Sequence, residues 1–414
     1  MEDLLQTAER IKENNLKAII SEITAGNTIL YFHKKKLYIK VNTFSAPMAS
    51  ISVTDNESTA IGPQNAFTES LETNLSLIKR RIQNTNLKSK EFILGTETNT
   101  KVSVVFMDHI VNKENLNRLY KRINNIVYPG FNDIAILQQL MNDSPFSPFP
   151  QYHETVRPDV AASHLLDGRI VIVMDNSPGI LICPVSFFEL FISPEDYYNR
   201  WTTASLLRTL RFFGFFATIT LTPTYISVLA HHPEMLPFDL LLNLQESRGK
   251  VPFSPFMEVL FMELIIEILR EAGTRMPSKI GQTIGIVGGI VIGTAAVEAS
   301  LVSNTLIVLV AISALLSFLS PNFTMSNTSR FIRYFFILSA GMFGLYGQMI
   351  AFAWLFHHLL NLTSLGTPFL TPIIPRSWSD LFNSVIRMPT AFLKQKMGVS
   401  RARNKKALPN KREK

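Results

Sequence analysis

The feature that most constrains this chain lies between residues 205 and 360, where long apolar runs carry few charges. FFGFFATITLTPTYISVLA (212–230) has 19 residues and no charge, enough to cross ~30 Å of hydrocarbon as a helix. Arg208 and Arg211 precede it, as expected on a cytoplasmic side. Three further candidate spans follow: 281–300, 301–320 and about 334–360. Pro223 inside the first is tolerable in lipid, where neighbouring helices satisfy the freed carbonyl.

The second span, GQTIGIVGGIVIGTAAVEAS, puts glycine at 281, 285, 289 and 293. In a soluble helix each would cost roughly 1 kcal/mol relative to alanine. In lipid no hydrophobic force drives helices together, so small residues four apart serve close backbone approach. Gly281, Gly285, Gly289 and Gly293 therefore predict a flat stripe on which another helix packs; Gly341, Gly344 and Gly347 predict a second, in the last span. A bland alternative is that membrane helices are simply rich in glycine. Thr294 and Glu298, four apart, share a helix face, with Thr283 and Ser300 near it. An ionisable group there is costly unless it meets water or a partner. Two readings stay open: Glu298 stands near the mouth of an aqueous ion path lined also by Thr294, or it sits in the headgroup layer.

PFSPFMEVLFMELIIEILREAG (252–273) is apolar but carries Glu258, Glu263 and Glu267. Three carboxylates across the hydrocarbon are expensive, so a re-entrant or interfacial helix with an acidic face is expected. Four spans plus this segment keep both termini cytoplasmic, although Arg270, Arg275 and Lys279 then fall on the outer side. The alternative adds 252–273 as a fifth span and a sixth near 367–387, a poor span with three prolines. FLKQKMGVSRARNKKALPNKREK (392–414) holds nine Lys and Arg, more than the whole net charge of +8. Beside apolar segments, such a tail reads as a positive-inside anchor at anionic lipid. No aromatics interleave with its basic residues, so no nucleic-acid partner is expected.

The first 200 residues alternate polar and apolar, and MEDLLQTAERIKENN has no signal-peptide core, so this half is expected in the cytoplasm. The only cysteine, Cys183, suits a reducing compartment. NTILYFHKKKLYIKV (27–41) predicts a β-hairpin; NAFTESLETNLSLIKRRI (65–82) and ENLNRLYKRINNI (114–126) predict amphipathic helices; KVSVVFM (101–107) and RIVIVMD (169–175) predict strands, the latter turning through NSPG (176–179) into ILICPV. The proline-rich SPFSPFP (144–150) predicts a boundary. The fold class expected is thus an α+β membrane protein: cytoplasmic α/β subdomains over 1–145 and 146–204, a helical transmembrane domain over 205–365 of about four spans plus a re-entrant helix, and a basic cytoplasmic tail over 366–414. No Walker A, GxGxxG after a strand, CxxC or HExxH is present. His33, His109, His153 and His164 are scattered and read as surface or packing residues. No catalytic set, cofactor or metal site is expected, so an enzyme is not.

Several long stretches carry a resemblance. EILREAGTRMPSKIGQTIGIVGGIVIGTAAVEASLVS, DGRIVIVMDNSPGILICPVSFFELFISPEDYYNRW, HHPEMLPFDLLLNLQESRGKVPFSPFMEVLFMELI and GPQNAFTESLETNLSLIKRRI closely resemble, in order, the A subunits of GerA-type spore germinant receptors, over roughly residues 20–390. The resemblance implies a multi-pass protein of the spore inner membrane, both termini on the core side. It implies transporter-like B and lipoprotein C subunits as partners, and an A subunit that oligomerises into a path for monovalent cations when a nutrient is sensed. Two departures stand out: relatives usually carry a further strand and helix ahead of residues 1–30, and Asp55 and Glu57 occur where relatives are often basic. A secondary transporter would predict an inverted repeat, and 205–272 against 281–360 shows none that convinces. A non-conducting scaffold or accessory subunit is the remaining alternative.

Overall fold

The computed structural model describes residues 8–11, 19, 23, 28–33, 37–41, 57, 59–275, 289, 291–375, 384–389 and 398–402. The hairpin expected at 27–41 forms from β2 (Thr28–Phe32) and β3 (Leu37–Val41), and β1 (Ala8–Ile11) pairs with β3 to complete a three-stranded antiparallel sheet.

The larger sheet contains β4 (Leu87–Leu94), β5 (Thr100–Met107), β6 (His153–Thr155), β7 (Ile170–Met174) and β8 (Ile180–Cys183), in the order β4-β5-β7-β8-β6 with every pair antiparallel. On one face it carries α1 (Leu71–Arg81) and α4 (Pro158–Leu166); on the other it carries α2 (Lys113–Asn125) and α3 (Ile134–Met141). The pleat sorts the side chains. Val171, Val173, Ile180 and Ile182 meet Leu75, Ile78 and Leu165, while Ile170, Ile172, Met174 and Leu181 meet Leu116, Leu119 and Leu137. A strand covered on both faces can be apolar throughout, and all five residues of β7 are buried. Caps start the helices: the Ser70 hydroxyl accepts from Thr73 N–H in α1, and the Asn112 carbonyl oxygen accepts from Glu114 N–H in α2.

This sheet joins segments on both sides of the boundary expected at 145/146. The proline-rich stretch there is a contact rather than a linker. Ser147 Oγ lies 2.8 Å from His358 Nε2, Pro148 O accepts from the Thr328 hydroxyl at 2.5 Å, and Phe149 packs on Phe187 and Phe369. Nor does the sheet domain, the part expected to be soluble, end at 204. A short hairpin of β9 (Thr363–Ser364) and β10 (Thr367–Pro368) returns to the sheet, where Ser364 Oγ donates to Gln151 O at 2.6 Å.

After a short helix α5 (Glu195–Tyr198) the chain enters a helical bundle. α6 (Trp201–Ala230) starts at the soluble domain, where Asp196 holds Arg208 at 3.2 Å and Arg211 at 2.9 Å. Its far end meets the bend of a later helix, His231 Nε2 lying 3.2 Å from Gly341 O. α7 (Phe238–Arg248) follows with no residue buried. α8 (Pro255–Arg275) begins at the same far end, Phe256 lying against Gly341, and runs back until Arg270 Nη2 donates to Ser317 Oγ at 3.0 Å. Helical residues 291–298 lead to Ser303 at the far end, and α9 (Asn304–Ser317) returns, its Ser317 O accepting from Ser326 Oγ at 2.8 Å.

The last helix, α10 (Phe323–Asn361), is not one rod. At Gly344 the backbone takes φ 60° and ψ −137° and the helix reverses. Phe336 stacks edge-on to Phe352 with ring centroids 4.9 Å apart, and Phe335 lies 4.7 Å from Trp354. The single span expected over about 334–360 therefore holds the second half of one arm, the turn at Gly344 and nearly all of the arm that returns toward the sheet domain. Among the described residues, α6 and α10 are the two helices long and apolar enough to cross a membrane by length and composition.

Candidate functional site

The bundle's most distinctive chemistry is a network of charges where α6, α8, α9 and α10 meet. Arg333 (α10) and Glu263 (α8), both fully buried, pair at 2.9 Å. The Arg333 guanidinium also donates to Ser313 Oγ (α9) at 2.7 Å, and Thr222 Oγ1 (α6) donates to Glu263 at 3.1 Å. One turn further toward the soluble domain, Arg330 pairs with Glu267 at 2.5 Å and Arg270 lies 4.0 Å from the same carboxylate. At the far end Glu258, also buried, accepts from Arg248 Nε at 3.1 Å and from Ser303 N–H at 2.6 Å. Burying a carboxylate is tolerable only with such partners. Glu258, Glu263 and Glu267 were expected as the acidic face of a re-entrant helix. Two of the three instead point into the bundle, on a 21-residue helix that runs its length. Reading the last span as starting at 334 hid the partners, because Arg330 and Arg333 fall just before it; two arginines seven and ten residues past the start of an apolar helix were the available signal.

Of the glycine stripe, Gly281 and Gly285 lie outside the described residues. Gly289 and Gly293 have no atom of the described residues within 4 Å of where a Cβ would stand. Ala296 is buried against Tyr225, Ile226, Val259 and Leu306, which anchors this helix to α6, α8 and α9. Val291, Thr294, Ala295 and Glu298 form its exposed face. Thr294 Oγ1 donates back to Val291 O at 3.3 Å, and Glu298 makes no ion pair among the described residues. The structure thus brings Thr294 and Glu298 to one outward surface, near the far end. Gly341 lies against Phe256, Gly344 makes the reversal, and Gly347 faces Ser339 O of the opposite arm. That second set serves the chain's own hairpin and its contact with α8, not one continuous stripe.

In the soluble domain, His153 and His164, scattered in sequence, meet edge-on at 5.7 Å beside Arg169. They line a cavity of about 100 Å³ with Asp159, Glu189, Tyr197 and Tyr198. Arg169 is buried and bidentate to Glu189. Burial, with the Arg169 charge, lowers His153 to about 4 and holds His164 well below its ordinary range, so both rings are neutral. Burial also pushes the Cys183 thiol up to about 12. Glu57, one of the two unusual acids, accepts from Thr155 Oγ1 at 2.6 Å and is raised by burial. Among the described residues no three His, Cys, Asp or Glu side chains are grouped to hold a metal.

Comparison with known proteins agrees with the resemblance seen in the sequence. The family model described as Bacillus/Clostridium GerA spore germination protein matches residues 1–398. Spore germination protein GerQA of Bacillus cereus is 41% identical over 393 residues, 95% of this chain and 79% of that one. Spore germination protein A1 of Bacillus subtilis (strain 168) is 38% identical over 374 residues, 90% and 77% of the two chains. Uncharacterized membrane protein YfkQ of the same organism is 34% identical over 391 residues, 94% and 76%. Among solved structures, the N-terminal domain of the A subunit of the Bacillus megaterium spore germinant receptor GerK3 matches with 28% identity and a TM-score of 0.31, covering 44% of this chain and 64% of that one. With a family match over nearly its whole length, the chain belongs to the Bacillus/Clostridium GerA family of spore germination proteins.

Proposed function

We propose that this chain is the A subunit of a nutrient receptor in the spore inner membrane. In this reading copies of it oligomerise around a path for monovalent cations, B and C subunits accompany it, and both termini face the core. The observation that carries the reading is the helix ending at Glu298. One face is locked to the bundle through Ala296, while the other presents outward Thr294 and the Glu298 carboxylate, which has no ion-pair partner among the described residues, beside Gly289 and Gly293, which no described residue covers. A carboxylate on the outside of a lone bundle in lipid is expensive. It becomes favourable when several copies turn that face toward a shared aqueous axis, where a ring of carboxylates selects cations. Nutrient binding at a partner would then bias closed against open through differential contacts.

Among the described residues the bundle holds α6, α8, α9, both arms of α10 and the helical stretch 291–298, which supports six crossings in place of the four expected. The test is conductance of the full chain in liposomes. Glu298→Gln is expected to alter cation selectivity, and Gly293→Leu to disrupt oligomers while leaving the melting temperature of the monomer unchanged. Unaltered selectivity in the first removes Glu298 from the path. Absence of any cation flux from the unsubstituted chain favours the non-conducting scaffold instead.

A further inference from the structure

We propose that the arginine cluster where α8 meets α10 binds a phosphate oxyanion, supplied by the headgroup of an anionic phospholipid in the leaflet beside the soluble domain. Arg270, Arg330 and Arg333 face only Glu263 and Glu267, so the cluster carries one uncompensated positive charge. Its donors exceed its acceptors. Among the described residues, Nε and Nη1 of Arg270, Nε of Arg330 and Nε and Nη2 of Arg333 are buried without a hydrogen-bond partner, against only two carboxylate oxygens in the same state, Glu263 Oε2 and Glu267 Oε2, and Arg333 is fully enclosed. Buried guanidinium N–H groups are normally satisfied, so the shell is short of an acceptor. The excess charge favours an anion over water.

The cluster's depth matches a headgroup. Thr328, two residues before Arg330, donates to Pro148 O of the soluble domain. One residue beyond Arg270, Glu271 pairs with Arg275 at 2.6 Å with 63% and 77% of their side chains exposed, which marks the exit of α8 from the bundle. The cluster is also open at its rim, with 14% of the Arg330 side chain, 11% of Arg270 and 35% of Glu267 exposed. Exposed Phe318, Phe323 and Phe331 flank it, and the Arg270 guanidinium lies 4.6 Å above the Phe318 ring. A phosphodiester fits a guanidinium fork, acyl chains suit the aromatic flank, and basic pockets between helices on the cytoplasmic side are where anionic headgroups bind.

The experiment uses the full chain in detergent, titrated with phosphatidylglycerol, phosphatidylcholine or sodium phosphate, and read by native mass spectrometry and thermal melting. Phosphatidylglycerol is expected to be retained and to raise the melting temperature, while the other two do neither at equal concentration. The double variant Arg270→Gln/Arg330→Gln is expected to bind phosphatidylglycerol at least about tenfold more weakly. Neutralising Arg403, Lys405 and Lys406 of the basic tail should leave this retention unchanged. If the double variant does not fold, Arg330→Lys, which keeps the charge and loses the fork, is expected to weaken binding in the same direction. Undiminished retention in the Arg270 and Arg330 variants, or loss only with the tail substitutions, overturns the site. Equal protection by sodium phosphate overturns the lipid as its source and assigns a free oxyanion.

Discussion

Glu263 and Arg333 show what one side chain commits the molecule to. Each is fully buried and completed by a hydroxyl from a different helix, so removing either leaves the other charged and unpaired. Arg333→Leu or Glu263→Leu alone should cost about 3–5 kcal/mol of stability. The double substitution should cost clearly less than the sum of the two, read by thermal unfolding in detergent; additive losses would mean the pair is not coupled. The two histidines make a pH prediction. Their folded values lie below the ordinary 6.5, so the unfolded chain binds more protons in acid. The stability they contribute is complete above pH 6.5 and is lost as pH falls toward about 4. Glu57 and Glu154, raised by burial, act in the opposite sense. His153→Leu should therefore flatten the decline in melting temperature between pH 6.5 and 4.5, and an unchanged slope would refute the assignment. Neither feature was legible beforehand, because Glu263 and Arg333 are 70 residues apart and nothing local says that two isolated polar residues share a cavity.

Among the elements, the reversal of α10 is the clearest departure from a local reading. As one continuous helix it would hold Phe335 and Trp354 about 28 Å apart, from 19 residues at 1.5 Å each; their rings are 4.7 Å apart. Cysteines at 335 and 354 are expected to form a disulfide within one chain on mild oxidation, and failure to do so would restore the single rod. At Gly344 a side chain would meet a left-handed backbone and the His231 Cβ at 2.7 Å. Gly344→Val should thus cost about 1–3 kcal/mol. Apolar periodicity is the same in a rod and in both arms of a hairpin, so the pattern that revealed an apolar helix here was silent on its turning. By contrast, α1, α2, β5, β7 and the β2–β3 hairpin fall close to where alternation and capping residues put them.

For the whole molecule, the direction of α8 decides the topology. Running from the far end back toward the sheet domain, it brings Arg270 and Arg275 to that side, and six crossings would ease the positive-inside difficulty of a four-span arrangement. Cysteines introduced at Gln245 and Glu271 should react with a membrane-impermeant maleimide from opposite sides of sealed vesicles. A re-entrant α8 would put both on one side. The buried, unreactive Cys183 leaves the background low.

By itself the sequence determined what depends on neighbours along the chain: apolar helices in one half, amphipathic helices and strands in the other, the absence of catalytic motifs, and membership of the family. Only the tertiary structure decided which distant segments meet. The sheet that crosses residue 145, the reversal at Gly344 and the pairing of α8 carboxylates with α10 arginines all depend on partners tens of residues away. Local pattern reports the environment a residue requires, whereas the partner that meets the requirement is chosen by packing of the whole chain.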